Sequence, residues 1–126
     1  MMVVMSHVAT PSAIRDKNPN VLCEDLDKYC EDIIDDLSGK MDENGYFILP
    51  GGNLVSSHLH LARTITRRCE RRLWTLNKQD ELPVSILKFI NRLSDLLFIM
   101  ARYEMFTEGD AEERWHDFLY KRKNKT

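Results

Sequence analysis

An all-α bundle is the fold this sequence predicts, on three observations. Apolar residues recur at intervals of three and four over three long stretches, 21–37, 54–76 and 84–106. The segments between them are rich in Gly, Pro, Asn and Asp, which interrupt helices. The one stretch that offers a strand is the short apolar run "YFIL" at 46–49, closed by Pro50, and no internal repeat occurs. The 126 residues suffice for a single domain spanning the chain.

Each element follows from its residues. "ATPSAIRDKNPN" at 9–20 carries two prolines with Ser and Asn, and predicts a loop. Asn20 offers a cap for a first helix from Val21 to about Leu37, with Glu24 and Asp25 where the helix dipole favours acids. Leu22, Leu26, Tyr29, Ile33 and Leu37 form its apolar stripe, and the opposite face is acidic. Gly39 ends it, Asn44-Gly45 marks a turn, and Pro50-Gly51-Gly52 stops the "YFIL" run. Asn53 then caps a second helix, Leu54 to Leu76, with a core stripe of Val55, Leu59, Ala62, Thr66, Cys69, Leu73 and Leu76. "NKQDELP" at 77–83 connects it to a third helix, Val84 to Phe106, which is apolar on most sides and therefore belongs at the centre of a bundle or in an interface. Gly109 breaks this helix. "DAEERWHDFLY" forms a last helical segment, and residues 121–126 form a frayed tail.

Composition narrows the classes. Hydrophobic residues make up 43% and charged residues 30%, an ordinary globular balance. No run of eighteen apolar residues occurs, so no membrane-spanning helix is expected. "MMVVM" is too short and uncharged for a signal or transit peptide. Cys23, Cys30 and Cys69 form no CxxC pair and predict small buried thiols rather than a disulfide framework. His58 and His60 have no neighbouring ligands to complete a zinc site. The net charge of −2 is unevenly spread: residues 1–50 carry −6 and residues 51–126 carry +4, so the second half is the one suited to an anion.

The feature that composition does not explain is "LHLARTITRRCERRLWTL" at 59–76. At helical spacing His60, Arg63, Arg67 and Glu70 or Arg71 share one side, with Arg68 and Arg72 beside them. A second polar file, Asn91, Asp95, Phe98 and Arg102, cuts through the apolar third helix. Buried polar groups cost roughly 1–3 kcal/mol each when unsatisfied, so the two files are expected to satisfy one another or to line an anion site. Three readings remain open on pattern alone. They are a solvated face with Glu–Arg pairs within the helix, a basic helix for RNA, and a phosphate site inside a bundle. His60 reads as a packing or capping histidine, and Phe47 and Phe98 read as core.

"FILPGG" at 47–52, "LHLARTITRRCERR" at 59–72 and "FINRLSDLLFIMARYE" at 89–104, in this order, resemble the PduO-type ATP:cob(I)alamin adenosyltransferases, and "ATP" at 9–11 is similar to the end of their "DLATP" segment. The resemblance runs from about Ser6 to Tyr103. It implies a cobalamin adenosyltransferase-like helical bundle that moves the 5′-deoxyadenosyl group of ATP, with Mg²⁺, to the cobalt of reduced cobalamin, releasing triphosphate. It also implies a homotrimer with small-molecule substrates, and neither nucleic acid nor membrane as partner. The compartment would be mitochondrial for an animal source and cytoplasmic for a bacterial one.

Carried onto matching positions, the resemblance makes Arg67, Arg68, Glu70, Arg71 and Asn91 ATP-binding residues, Arg67 also positioning the nucleotide for reaction. Arg63 would pair with an acid of a neighbouring subunit. Phe47 would close the lower face of the corrin, with Asp95 and Phe98 bordering that pocket. The family's first helix and its "TKTGDxG" phosphate loop have no counterpart in this sequence. A non-catalytic corrinoid- or ATP-binding module, or an assembly module of the same fold, is therefore the alternative.

Overall fold

The most apolar stretch of the sequence is the element on which the others pack. The computed structural model describes residues 1–41 and 52–108. In chain order these form α1 (Met2–Ala9), a short 3-10 helix (Ser12–Lys17), α2 (Leu26–Gly39), α3 (Leu54–Asn77) and α4 (Val84–Thr107). No strand occurs among the described residues, and the fold is an all-α bundle. None of these helices is long and apolar enough to cross a membrane. α4 packs against both α2 and α3. Its buried side chains include Ile86, Leu87, Ile90, Leu96, Ala101 and Met105, spread around the axis as a helix flanked on two sides requires. The "YFIL" run, the Asn44-Gly45 turn, Phe47, Gly109 and the expected last helical segment lie outside the described residues.

α3 begins as its cap predicts: Asn53 Oδ1 accepts the Ser56 N–H at 2.8 Å. Two small residues then bring α3 against α4. Gly52 has φ +113°, and a Cβ there would overlap the Met105 side chain, so backbone and space both demand glycine. At the next turn the Ser56 hydroxyl donates to the Ala101 carbonyl at 3.0 Å, with both residues 0% exposed. The seam between the helices is thus closed at one end by backbone-sized contacts.

Three sequence expectations need correction. The first is the start of α2, which is Leu26 rather than Val21. Asn20 does not cap it; its side-chain NH₂ donates to Ser6 Oγ at 2.8 Å and its carbonyl accepts from His7 Nε2 at 2.8 Å. Tyr29 is 65% exposed and Cys30, one residue on, is the buried member of that turn at 2%. The second is the segment before α2. Residues 9–20 hold the 3-10 helix rather than a plain loop, and α1 precedes it. An eight-residue helix that is apolar nearly all round has no period for sequence reading to detect. The third is cysteine burial, since Cys23 and Cys69 are exposed.

α1 and the 3-10 segment are tied to the rest by an apolar and a polar set of contacts. Val4 joins Leu73, Leu82, Ile86, Leu87 and Ile90 in one core cluster. Arg15 donates from Nε to the His7 carbonyl at 3.1 Å, from Nη2 to the Thr10 carbonyl at 2.9 Å, and from Nη1 to the Glu81 carbonyl at 2.6 Å. Asp80, in the α3–α4 connection, accepts the Ser12 N–H at 3.1 Å and lies 3.8 Å from Arg15 Nη2. Hydrogen bonding from the Ser12 side chain and backbone holds the Asp80 carboxyl below the ordinary carboxylate range, with the Arg15 charge adding to it.

Two outcomes follow. Gly52→Ala lowers the urea midpoint by the equivalent of about 1–3 kcal/mol, because the new methyl both strains φ and displaces Met105. An unchanged midpoint would mean the seam relaxes freely. Because the Asp80 pKa is lowered in the folded state, its stabilisation is complete above the unfolded value of about 4 and is lost as pH falls through the folded value. Wild type should therefore exceed Asp80→Asn in thermal stability at pH 7, with the gap closing below about pH 4.

Candidate functional site

Ser56, His60, Arg63, Arg67, Glu70 and Trp74 follow one another at intervals of four and three, so they form one straight file on α3. Their burial changes along it. Ser56 and His60 are buried at 0% and 4% exposure, Arg63 is intermediate, Arg67 is exposed, and Trp74 is 48% exposed. By Leu73, 7% exposed, the buried side of the helix has moved to another face, where the cluster around Ile86 and Val4 gathers. The side of α3 turned to α4 thus changes along its length, so a straight file enters the interface at Ser56 and leaves it by Arg67.

This corrects the expected core stripe. Val55 is 51% exposed and Cys69 is exposed, whereas Ser56 and His60 take the buried places. Sequence periodicity weighs side chains by polarity. The seam instead needs small or flat groups, which Ser and His supply.

Phe98 on α4 is the point where the two polar files meet. The His60 ring stands edge-on to it, centroids 6.1 Å apart at 65°. Arg63 Cζ lies 5.4 Å and Arg102 Cζ 6.0 Å from the ring centroid. An aromatic face attracts cations, so one ring serves two guanidinium groups. Burial, followed by the Arg63 charge, lowers the pKa of His60. His60 therefore stays neutral near pH 7 and is a packing histidine, as the sequence suggests. His60 Nδ1 and Arg63 Nε are buried with no hydrogen-bond partner among the described residues.

A second junction lies further along. Asn91 Nδ2 donates to Glu70 Oε2 at 2.9 Å, joining α4 to α3. Glu70 is thus engaged by Asn91, and no ion pair within α3 holds Arg67, Arg68 or Arg71 among the described residues. The solvated face laced by Glu–Arg pairs is not what forms. Asp95 takes no part in this junction. It accepts from Arg92 Nη1 at 3.0 Å, while Arg92 Nε donates to Glu31 Oε1 of α2 at 2.7 Å. The files satisfy each other only in part: Asn91 and Phe98 turn to α3, and Asp95 belongs to the α2 side. Hydrogen bonds to both acids raise the Arg92 pKa, which leaves it a permanent cation.

Two cavities flank these junctions. One of about 390 Å³ lies between the C-terminal half of α3 and the start of α4, lined by Glu70, Trp74, Leu82, Leu87 and Asn91 among others. The other, about 480 Å³, lies between α2 and α4 and includes Asp95 and Phe98 with Glu31, Ile34, Arg92 and Ile99. The expected ATP-binding Glu70 and Asn91 thus share the first cavity, and the expected corrin-bordering Asp95 and Phe98 share the second. Phe47 lies outside the described residues. Sequence reading passed over Trp74 and the Arg92–Glu31 link. Trp74, four residues beyond Glu70 on the same file, was open to detection by spacing alone. Among the described residues no group of three or more His, Cys, Asp or Glu could hold a metal ion.

The sequence profile of the family described as cobalamin adenosyltransferase matches residues 1–104. The corrinoid adenosyltransferase of Bacillus subtilis is 46% identical over 81 residues, which is 64% of this chain and 42% of that protein. The human corrinoid adenosyltransferase MMAB is 42% identical over 83 residues, 66% of this chain and 33% of that protein. The chain thus spans well under half the length of these relatives. A variant PduO-type ATP:corrinoid adenosyltransferase from Lactobacillus reuteri, solved with cobalamin and ATP, superposes with a TM-score of 0.84 at 33% identity, covering 90% of this chain and 63% of that one. Another variant of that enzyme, complexed with ATP, has a TM-score of 0.81 at 32% identity. The matched residues include the helices that carry the arginine file and the Phe98 junction, and the chain belongs to the cobalamin adenosyltransferase family.

Proposed function

We propose that this protein transfers the 5′-deoxyadenosyl group of ATP to the cobalt of reduced cobalamin, forming adenosylcobalamin and triphosphate. The observation that carries the reading is the cationic face of Arg67, Arg68 and Arg71, exposed and without an acidic partner among the described residues, beside the Glu70–Asn91 bond. Guanidinium groups bind phosphate oxygens in bidentate fashion, and developing charge on a leaving triphosphate is where fixed cations lower a barrier.

Arg67 and Arg68 hold the phosphates, Arg71 extends that face, and Asn91 with Glu70 fixes the nucleoside. Cobalt(I) of the substrate is itself the nucleophile, so the protein supplies orientation rather than an attacking side chain. Phe47 closes the lower face of the corrin, while Asp95 and Phe98 border its pocket. The second cavity, with Ile34, Phe98 and Ile99 in its lining, supports that assignment, since a low-coordinate cobalt must be kept from water. Magnesium would arrive on the triphosphate, as it does where few protein ligands are offered. Among the described residues no group of three or more His, Cys, Asp or Glu could hold it.

The same proposal includes a homotrimer. Leu54, Leu61 and Ile65 are 74%, 57% and 48% exposed, and at intervals of seven and four they form an apolar strip on the side of α3 away from the arginine file. Such a strip is suited to a neighbouring subunit. Sedimentation equilibrium should give three times the chain mass. A monomer at tens of micromolar would remove the trimer from the proposal.

Activity is tested by giving the purified chain ATP, Mg²⁺ and chemically reduced cob(I)alamin, and following loss of the cob(I)alamin absorbance against a protein-free control. Arg67→Ala should raise the Kd for ATP about 10-fold or more, the loss expected for a charge-assisted hydrogen bond. Phe47→Ala should leave ATP affinity intact and slow cobalt reduction. Equal losses in both variants, in parallel with lost helicity, would assign these residues to stability instead. Binding of both substrates without turnover would make the chain a binding module.

A further inference from the structure

The cavity between α2 and α4 joins an apolar lining to a charged one, and only the apolar part has so far been given a use. Ile34, Phe98 and Ile99 line this space of about 480 Å³ together with Glu31, Asp35, Asp95 and Arg92. Three carboxylates thus face the cavity against one guanidinium. That guanidinium is already engaged: Arg92 Nε donates to Glu31 Oε1 at 2.7 Å and Nη1 donates to Asp95 Oδ2 at 3.0 Å. Asp35 has no hydrogen bond or ion pair among the described residues. Lys40, on the same helix, goes to the adjacent Asp36 at 3.3 Å instead.

Such a lining sorts ligands by the charge of their edge. An ionised carboxylate only accepts hydrogen bonds. A carboxamide is neutral and brings two N–H donors, so it can meet Asp35 and the second oxygens of Glu31 and Asp95. A ligand carboxylate brings acceptors alone, carries the same sign of charge, and finds the one guanidinium of the lining taken.

The corrinoid of the proposed reaction is a flat macrocycle whose edge carries short carboxamide arms. A cavity of this size takes part of that edge rather than the whole ring. We propose that Asp35 is a specificity-determining residue of the corrinoid site, accepting corrinoids whose arms are amidated and rejecting those whose arms are free carboxylates. This rests on the adenosyl-transfer reading and adds to it the charge class of the corrinoid. Ile34, Phe98 and Ile99 contact the ring whatever its arms carry; Asp35 reads the arms.

The test measures equilibrium binding by the full chain, with ATP and Mg²⁺ present, of cob(II)alamin and of its monocarboxylic acids, in which hydrolysis has turned one corrin carboxamide into a carboxylate. Wild type, Asp35→Asn and Asp36→Asn are compared at pH 7. Wild type should bind cobalamin about 5-fold more tightly than at least one monocarboxylic acid, the scale expected for a partly solvated charge. Asp35→Asn should remove most of that preference by gaining affinity for the acid, and Asp36→Asn should keep it. Raising salt from about 20 mM to about 500 mM should shrink the wild-type preference and leave Asp35→Asn unchanged.

Wild type that binds every monocarboxylic acid as tightly as cobalamin would overturn the inference while leaving adenosyl transfer standing. A preference that persists in Asp35→Asn, or that ignores salt, would do the same by assigning the selection to shape. Equal weakening of both ligands in Asp35→Asn would assign Asp35 to the fold alone and overturn its role. Wild type that binds no cobalamin would overturn both this inference and the adenosyl-transfer reading.

Discussion

The close approach of α3 to α4 at Ser56 and Ala101 governs where the polar side chains of α3 come to lie. Both residues are fully buried, and the Ser56 hydroxyl bonds the Ala101 carbonyl at 3.0 Å. Gly52, against Met105, extends that contact to the start of the helix. Beyond this contact α3 turns a different side to α4, with Leu73 in the core cluster, and the file that starts at Ser56 comes out towards solvent at the arginines. The file that begins as packing at Ser56 and His60 therefore ends as an open cationic surface at Arg67, with a cavity behind Glu70 and Trp74.

Between these ends the structure places two guanidinium groups on one aromatic ring. Like charges near Phe98 would repel if the ring were aliphatic; its quadrupole offsets part of that cost. His60, kept neutral by burial and by Arg63, fills the remaining side without adding a third charge. Phe98 also lines the cavity on the α2 side, so the same ring contacts the buried seam and the proposed corrin pocket. The Arg92 bond to Glu31 joins α2 to α4 along this border, and Asp95 holds the same guanidinium from within α4. These are partly exposed pairs, worth little to stability, and their use is to hold the α2 wall in place.

The N-terminal segment supports the opposite end of the site. Val4 completes the cluster of Leu73, Leu82 and Leu87, and the last two of these line the Trp74 cavity. Arg15 and Asp80 fasten the 3-10 segment to the α3–α4 connection. A change at Arg15 would thus reach the cavity through Leu82, next in sequence to the Glu81 carbonyl that Arg15 holds.

Much of this was open to the sequence because local physics decides it. Helix type and extent follow from apolar spacing, and Asn53 placed the α3 start correctly. The all-round apolarity of residues 84–106 identified the central helix, and the motifs around Arg67 and Asn91 carried the family. Other features were decided only by tertiary structure. Periodicity assigned Val55 and Cys69 to the core, yet packing against α4 buries Ser56 and His60 instead. Asp95 and Asn91 look equivalent on one file, yet one turns to Arg92 and the other to Glu70. α1 carries no period to read, so only packing of Val4 reveals it. Sequence determined which faces each helix has, because side-chain direction repeats with the backbone; which face meets which neighbour was left to the packing of α3 on α4, because that depends on contacts between residues far apart in the chain.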